Sequence, residues 1–199
     1  QFQLSNYLSE SRAKDVKTFG MEQFAEQAPH FNTIFLATPA EVSMEWVANL
    51  RKHSVNIIDL SGAFRLNADA FKNWYGLEHS CPELLNSAHY GLVPWAKPFL
   101  RSQNTLISNP GCYATSILMA LLPLLKADLI DPQSLVIDSK SGTTGAGRKP
   151  SEALLFSEIE GEFLPYKVGA HQHLPEVRRY AESFSKTNID PFFTTHLAS

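Results

Sequence analysis

Short apolar runs alternate with an amphipathic stretch early in the chain. Thr33–Ala37 (TIFLA) is apolar and β-branched, which predicts a buried strand. Pro39 breaks it. Val42, Trp46 and Leu50 then fall on one helical face, predicting a helix over Val42–Leu50. Val55–Leu60 (VNIIDL) predicts a second strand, closed by Ser61 and Gly62. Strand, helix and strand with short links make a βαβ unit, whose two strands run parallel.

The pattern continues less regularly. A short helix is expected near Met21–Gln27. Residues 63–104 read as irregular and rich in aromatics, Pro and Asn. Thr105–Ser108 is a strand, and a Pro110-Gly111 corner leads into a helix over Ala114–Lys126, which Pro123 kinks or ends. Leu135–Asp138 is a strand, followed by SKSGTTGAGRKP, which reads as a loop. Phe156–Leu164 has no clear period. A helix is expected after Pro175, and FFTTHLAS reads as a strand and its exit. No repeat or low-complexity segment stands out.

Composition narrows the classes. The chain has 199 residues, 44% hydrophobic, enough for one large core or two small ones. Net charge is −3 with no basic block, so binding to nucleic acid or a membrane surface has no electrostatic support. No apolar run approaches the roughly 20 residues that span a bilayer. QFQLSNYLSE has neither the basic start nor the apolar core of a signal peptide. Two cysteines without metal-ligand spacing do not make a secreted scaffold. A soluble, cytoplasmic protein is expected.

The candidate chemistry starts at Cys112, in SNPGCYATS. The corner before it and the helix after it put the thiol at or near a helix N-terminus. Unpaired N–H groups there favour a thiolate and could hold an oxyanion. A buried structural cysteine is the common alternative, and position alone does not choose. GAHQHLPE supplies His171 and His173, candidate proton shuttles for a thiol. In an extended segment both would face one side. Glu176 could orient an imidazole or bind substrate. The pair could also be surface histidines. A metal ranks lowest, because no third His or Cys ligand sits nearby.

Two further features could hold an anion or a dinucleotide. The Gly-rich stretch SGTTGAGR (141–148) follows a strand but lacks the ending of a Walker loop, and it is not GxGxxG. Arg148 and Lys149 could add charge. The strand ends Ala37-Thr38-Pro39 and Asp59-Leu60-Ser61-Gly62 lie where parallel sheets bind ligands. Ordinary turn chemistry would explain them equally well.

Taken together, FLATPAEVS, IDLSGAFR, YGLEHSCPELL, YGLVPW, NPGCYATS, SGTTGAGRK and HQHLPE resemble the N-acetyl-γ-glutamyl-phosphate reductases. These are NADP-dependent semialdehyde dehydrogenases of arginine biosynthesis. The likeness runs from about residue 31 to the end, and the order of the last three motifs separates this family from its aspartate-semialdehyde relatives. It implies a catalytic thiol at Cys112, an acid/base at His173 or His171, and Glu176 close by. It also implies NADP contacts at Ala37, Thr38, Pro39, Ser61, Ser141, Gly142 and Gly145, and no metal. The implied fold class is α/β: an incomplete Rossmann-type parallel sheet over 1–111, then an α+β catalytic and dimerisation domain with a mixed sheet over 112–199. The substrate would be an acyl phosphate, the product inorganic phosphate, and the assembly a homodimer or homotetramer.

The family's GxxGYxG opening turn has no counterpart here, and its sequence continues past THL. An internal fragment is therefore expected, with weak NADP binding. The alternatives are another acyl-phosphate or semialdehyde dehydrogenase, a cysteine acyl hydrolase or transferase without nicotinamide, and an inactive remnant that oligomerises. NADPH consumption and thiol reactivity separate them.

Overall fold

A computed structural model describes residues 18–93, 95–96, 104–146, 150–185 and 187–199. The first sheet holds four parallel strands in the order β1-β2-β4-β3. They are β1 (Thr33–Leu36), β2 (Asn56–Asp59), β3 (Ala88–Tyr90) and β4 (Leu106–Ser108). A short helix α1 (Met21–Gln27) precedes β1, as expected. Between β1 and β2 runs α2 (Ala40–Leu50), beginning two residues before the predicted Val42. Pro39 is its N-cap residue, where a missing N–H costs nothing. Ile34 pairs with Ile57 and Ile57 with Leu106, so apolar side chains line up across the sheet. Met44, Val47 and Leu50 of α2 close over them, together with Phe64, Leu66 and Phe71.

Residues 63–93 are more regular than predicted. They contain α3 (Ala68–Tyr75), a 3-10 turn at Pro82–Ser87 and strand β3. Asn67 caps α3, its side-chain oxygen accepting from the Ala70 N–H at 2.8 Å. Gly76 ends it at φ 70°, the left-handed position that favours glycine.

The second sheet is mixed, in the order β5-β7-β6. β5 (Val136–Gly142) runs parallel to β7 (Phe192–Ala198), and β6 (Phe163–Pro165) antiparallel to it. The predicted strand end at Asp138 falls four residues short. Ser139–Gly142 are strand rather than loop, because FFTTHLA supplies a backbone partner through Gly142↔Ala198. Thr143–Ala146 follow it as a 3-10 turn. The unclear stretch 156–164 holds a short helix, α5 (Phe156–Ile159), and the start of β6.

Two helices carry the second core. α4 (Cys112–Lys126) starts at the cysteine itself, two residues earlier than predicted, and passes through Pro123 to its end. So late a proline removes only one hydrogen bond. α6 (Leu174–Glu182) begins just before Pro175, which sits in its first turn. Tyr113, Ile117, Leu118 and Leu122 of α4 pack with Leu174, Val177 and Ala181 of α6 and with Phe193 of β7. Leu92, Tyr90 and Trp74 from the first half join this cluster. No helix among the described residues is long and apolar enough to cross a membrane.

Candidate active site

β1, β2 and β4 end side by side, and their exits form the floor of the site. The Leu60 N–H donates to the Leu36 carbonyl and the Asn109 N–H to the Asp59 carbonyl, each extending the parallel ladder beyond the strands. Asn109-Pro110-Gly111 then turns the chain into α4. Gly111 is the N-cap residue, with ordinary extended angles (φ −67°, ψ 158°). Backbone freedom is therefore not what glycine supplies there. Close approach is: a Cβ would lie 2.2 Å from Nε2 of His173. The bare corner lets the imidazole rest against the backbone next to Cys112.

Cys112 is exposed, the first residue of α4, and opens onto a cavity of about 630 Å³. His171, His173, Ser141, Gly145, Arg65 and Lys167 share its walls. Both histidines are themselves largely buried. They do not lie in an extended segment. They sit in the turn before α6, folded by a bond from the His173 N–H to Nδ1 of His171 at 3.1 Å. With Nδ1 accepting, the neutral His171 ring carries its proton on Nε2. The two rings lie 4.7 Å apart, and Tyr113 meets His171 edge-on at 5.2 Å. Burial, then Lys167, pushes His171 down to about 4. Burial, then His171, Arg65 and Lys167, pushes His173 down to about 3. Both are neutral at neutral pH, and Nδ1 of His173 is buried without a partner among the described residues.

Glu176 is fully buried and bonds neither histidine. Its Oε1 accepts from the Gly111 N–H at 2.9 Å and from the Tyr90 hydroxyl at 2.7 Å. Its Oε2 faces Arg65 Nη1 at 3.7 Å. Burial raises its pKa, against the pull of Arg65, the Gly111 N–H and Tyr90. The place of Glu176 is thus behind the Gly111 corner, holding it. Arg65 completes the clasp by donating to the carbonyls of Asn109 and Leu60, both at 2.8 Å. Because Glu176 occupies the Gly111 N–H, an oxyanion is left to the N–H groups of Cys112 and Tyr113, which have no intrahelical acceptor. Arg65 and Lys167 escaped the sequence reading. Arg65 stood in plain sight in SGAFR, but a lone arginine in an irregular stretch gives no pattern.

The candidate cofactor residues divide. Ser141 and Gly145 line the cavity, and a Cβ on Gly145 would lie 2.5 Å from Ser141 Oγ. Gly142 is exposed at the end of β5 and does not line it. Ala37, Thr38, Pro39 and Ser61 sit at the strand exits, but two hydroxyls are engaged within the fold. Ser61 Oγ donates to the buried Asp59 carboxylate at 2.8 Å, and Thr38 Oγ1 shares a bond with Ser43 Oγ at 2.8 Å. Burial raises the pKa of Asp59, partly offset by Ser61 and Ser43. The residues therefore fit the reacting end of a dinucleotide in the cavity, with Ala37, Pro39 and Leu60 exposed at the strand exits. Arg148 and Lys149 lie outside the described residues. Among those described, no three His, Cys, Asp or Glu gather as a metal site.

Residues 5–102 match the family model described as the NAD binding domain of semialdehyde dehydrogenase, and residues 112–199 match its dimerisation domain. The chain belongs to the semialdehyde dehydrogenase family. Within it, the chain is 42% identical over 173 residues to N-acetyl-gamma-glutamyl-phosphate reductase from Geobacillus kaustophilus, covering 86% of this chain and 50% of that protein. It is 43% identical over 165 residues to the protein of the same name from Magnetococcus marinus, covering 82% and 47%. The chain spans about half the length of these curated relatives. A solved aspartate semialdehyde dehydrogenase with NADP from Candida albicans covers 84% of this chain and 47% of that one, at 9% identity and a TM-score of 0.49.

Proposed function

We propose that this chain carries the thiol chemistry of an NADPH-dependent N-acetyl-γ-glutamyl-phosphate reductase of arginine biosynthesis. The observation that carries the reading is the exposed Cys112, at the start of α4, sharing a cavity with two buried, neutral histidines.

The Cys112 thiol passes its proton to His173 as its sulfur attacks the γ-acyl carbon of N-acetyl-glutamyl 5-phosphate. The carbon–oxygen bond to the phosphoryl group breaks, and inorganic phosphate leaves a thioester on Cys112. N–H groups of the first turn of α4 stabilise the oxyanion. NADPH, when bound, supplies the hydride that takes the thioester to the aldehyde level. His173, lying against the Gly111 corner, moves the proton as the carbon–sulfur bond opens and the 5-semialdehyde departs. His171 holds His173 in place through its Nδ1. Ser141 and Gly145 would line the nicotinamide side, and the backbone of Ala37–Pro39 and Ser61 the rest of the dinucleotide. Glu176 supports the corner from behind.

The same reading divides the chain into a partial NADP-binding domain over 1–111 and a catalytic and dimerisation domain over 112–199. It makes the protein a cytoplasmic homodimer or homotetramer, which suits two unpaired cysteines. Sedimentation of the chain tests the assembly. Incubation with N-acetyl-glutamyl phosphate, followed by mass spectrometry of acid-quenched protein, tests the chemistry. An acyl adduct on Cys112, absent from Cys112→Ala, is expected. An adduct that persists in Cys112→Ala would sink the assignment.

A further inference from the structure

The cavity at Cys112 has a charge pattern that the thiol and histidines do not explain. Among the described residues that line it, the charged side chains are Arg65 and Lys167, and no carboxylate faces in. The histidines add no charge at neutral pH. The charge of Arg65 is answered from behind by Glu176. Lys167 has no such answer. Among the described residues its Nζ donates to the neutral amide oxygen of Gln172, at 2.8 Å, and no carboxylate among them pairs with it.

The backbone makes the placement specific. Lys167 sits at φ 44°, in the left-handed region that is strained for a lysine. The strain belongs to a tight reversal. Tyr166 N–H still donates to Thr195 beside β6, and Ala170 N–H already closes back on the Lys167 carbonyl at 3.0 Å. This reversal connects the sheet to the histidine turn and leaves Lys167 on the cavity wall.

We propose that Lys167 is a specificity-determining residue that binds an oxyanion of the substrate, either its free carboxylate or its phosphate. This rests on the reading of Cys112 as a nucleophile facing the cavity. The inference restricts the substrate to molecules with an anionic group besides the reacting carbonyl, or with an anionic leaving group upon it. Neutral acyl compounds would gain nothing from Lys167.

The test compares alkylation of Cys112 in the full chain by iodoacetate, which is anionic, and by iodoacetamide, which is neutral. Lys167→Met, Lys167→Gly and Lys167→Arg are measured alongside, Gly being free of strain at a positive φ. The ratio of iodoacetate to iodoacetamide rates should fall about three- to tenfold at low salt in the Met and Gly variants, the effect of one nearby unit charge in a wet cleft. It should be retained in Lys167→Arg. Protection of Cys112 by inorganic phosphate or by N-acetyl-glutamate separates the two sources: the protectant that weakens in Lys167→Met names the group held. An unchanged ratio in both Met and Gly overturns the role of Lys167 and leaves the thiol reading standing. A Cys112 inert to both reagents overturns both.

Discussion

The two cysteines occupy opposite surroundings in the same chain. Cys81 is 2% exposed, in the first core, with Sγ 3.6 Å from the Met44 carbonyl and its own N–H on Nδ1 of His79. Burial, then the charge of Glu83, pushes its thiol up to about 11. Cys112 stands exposed at the first residue of α4, over a cavity whose described lining holds cations and no carboxylate. The side chain is the same, and only the surroundings differ. Apolar packing shields one thiol, and the other stands at a helix start beside neutral histidines, the setting in which the proposed attack would take place.

The largest effect should come from Cys112→Ala. It should remove all acyl transfer and all alkylation of the folded protein, read by mass spectrometry, while thermal unfolding barely moves. Glu176→Gln comes next. It keeps the shape but leaves Arg65 without its buried counter-charge, at a cost on the order of 3 kcal/mol. Urea unfolding reads that loss, and slower alkylation of Cys112 would show the corner loosening. In Gly111→Ala the new methyl meets His173, and overpacking of about 1–3 kcal/mol is expected. Here Cys112 reactivity should fall while that of Cys81 in denaturant does not.

Acidification gives a smaller and graded effect. Folding lowers His171 to about 4 and His173 to about 3, against about 6.5 in the unfolded chain. The unfolded state therefore takes up protons first. Their contribution to stability is complete above about pH 6.5 and declines as pH falls toward 4. Folding raises Asp59 and Glu176, which act in the opposite direction. The share of His173 is isolated as the part of the urea-midpoint slope between pH 7 and 5 that His173→Gln removes. Cys81→Ala should be mildest, costing about 1 kcal/mol for its small cavity and leaving acyl transfer intact. Loss of that chemistry in Cys81→Ala would break the comparison.

Much of the fold was legible, for reasons that differ by element. β1, α2 and β2 announce themselves because parallel strands buried between layers must be apolar, and α2 must show one face. The Pro-Gly corner and the apolar helix after it placed Cys112 within two residues. The extension of β5 through Ser139–Gly142 was hidden because its pairing partner lies 56 residues away, and polar strand residues look like loop. In 63–104, Asn67 and Gly76 were usable cap signals for α3, masked by the aromatics around them. At the site, Cys112, His171 and His173 were readable as chemical types at suggestive spacings. The role of Glu176 was not, since its partners Tyr90, Arg65 and Gly111 are distant in sequence. Lys167 could not be seen either, because neither its backbone angle nor the absence of carboxylates from the cavity's described lining is a sequence property.

Every role proposed at this site depends on Cys112 being the reactive thiol. The most direct measurement is peptide-mapped alkylation by iodoacetamide at pH 7, first on the folded chain and then in denaturant. Cys112 should react at least on the order of a hundredfold faster than Cys81 when folded, and the two should converge when unfolded. Equal rates in the folded chain, or a Cys112 that reacts only after unfolding, would contradict it.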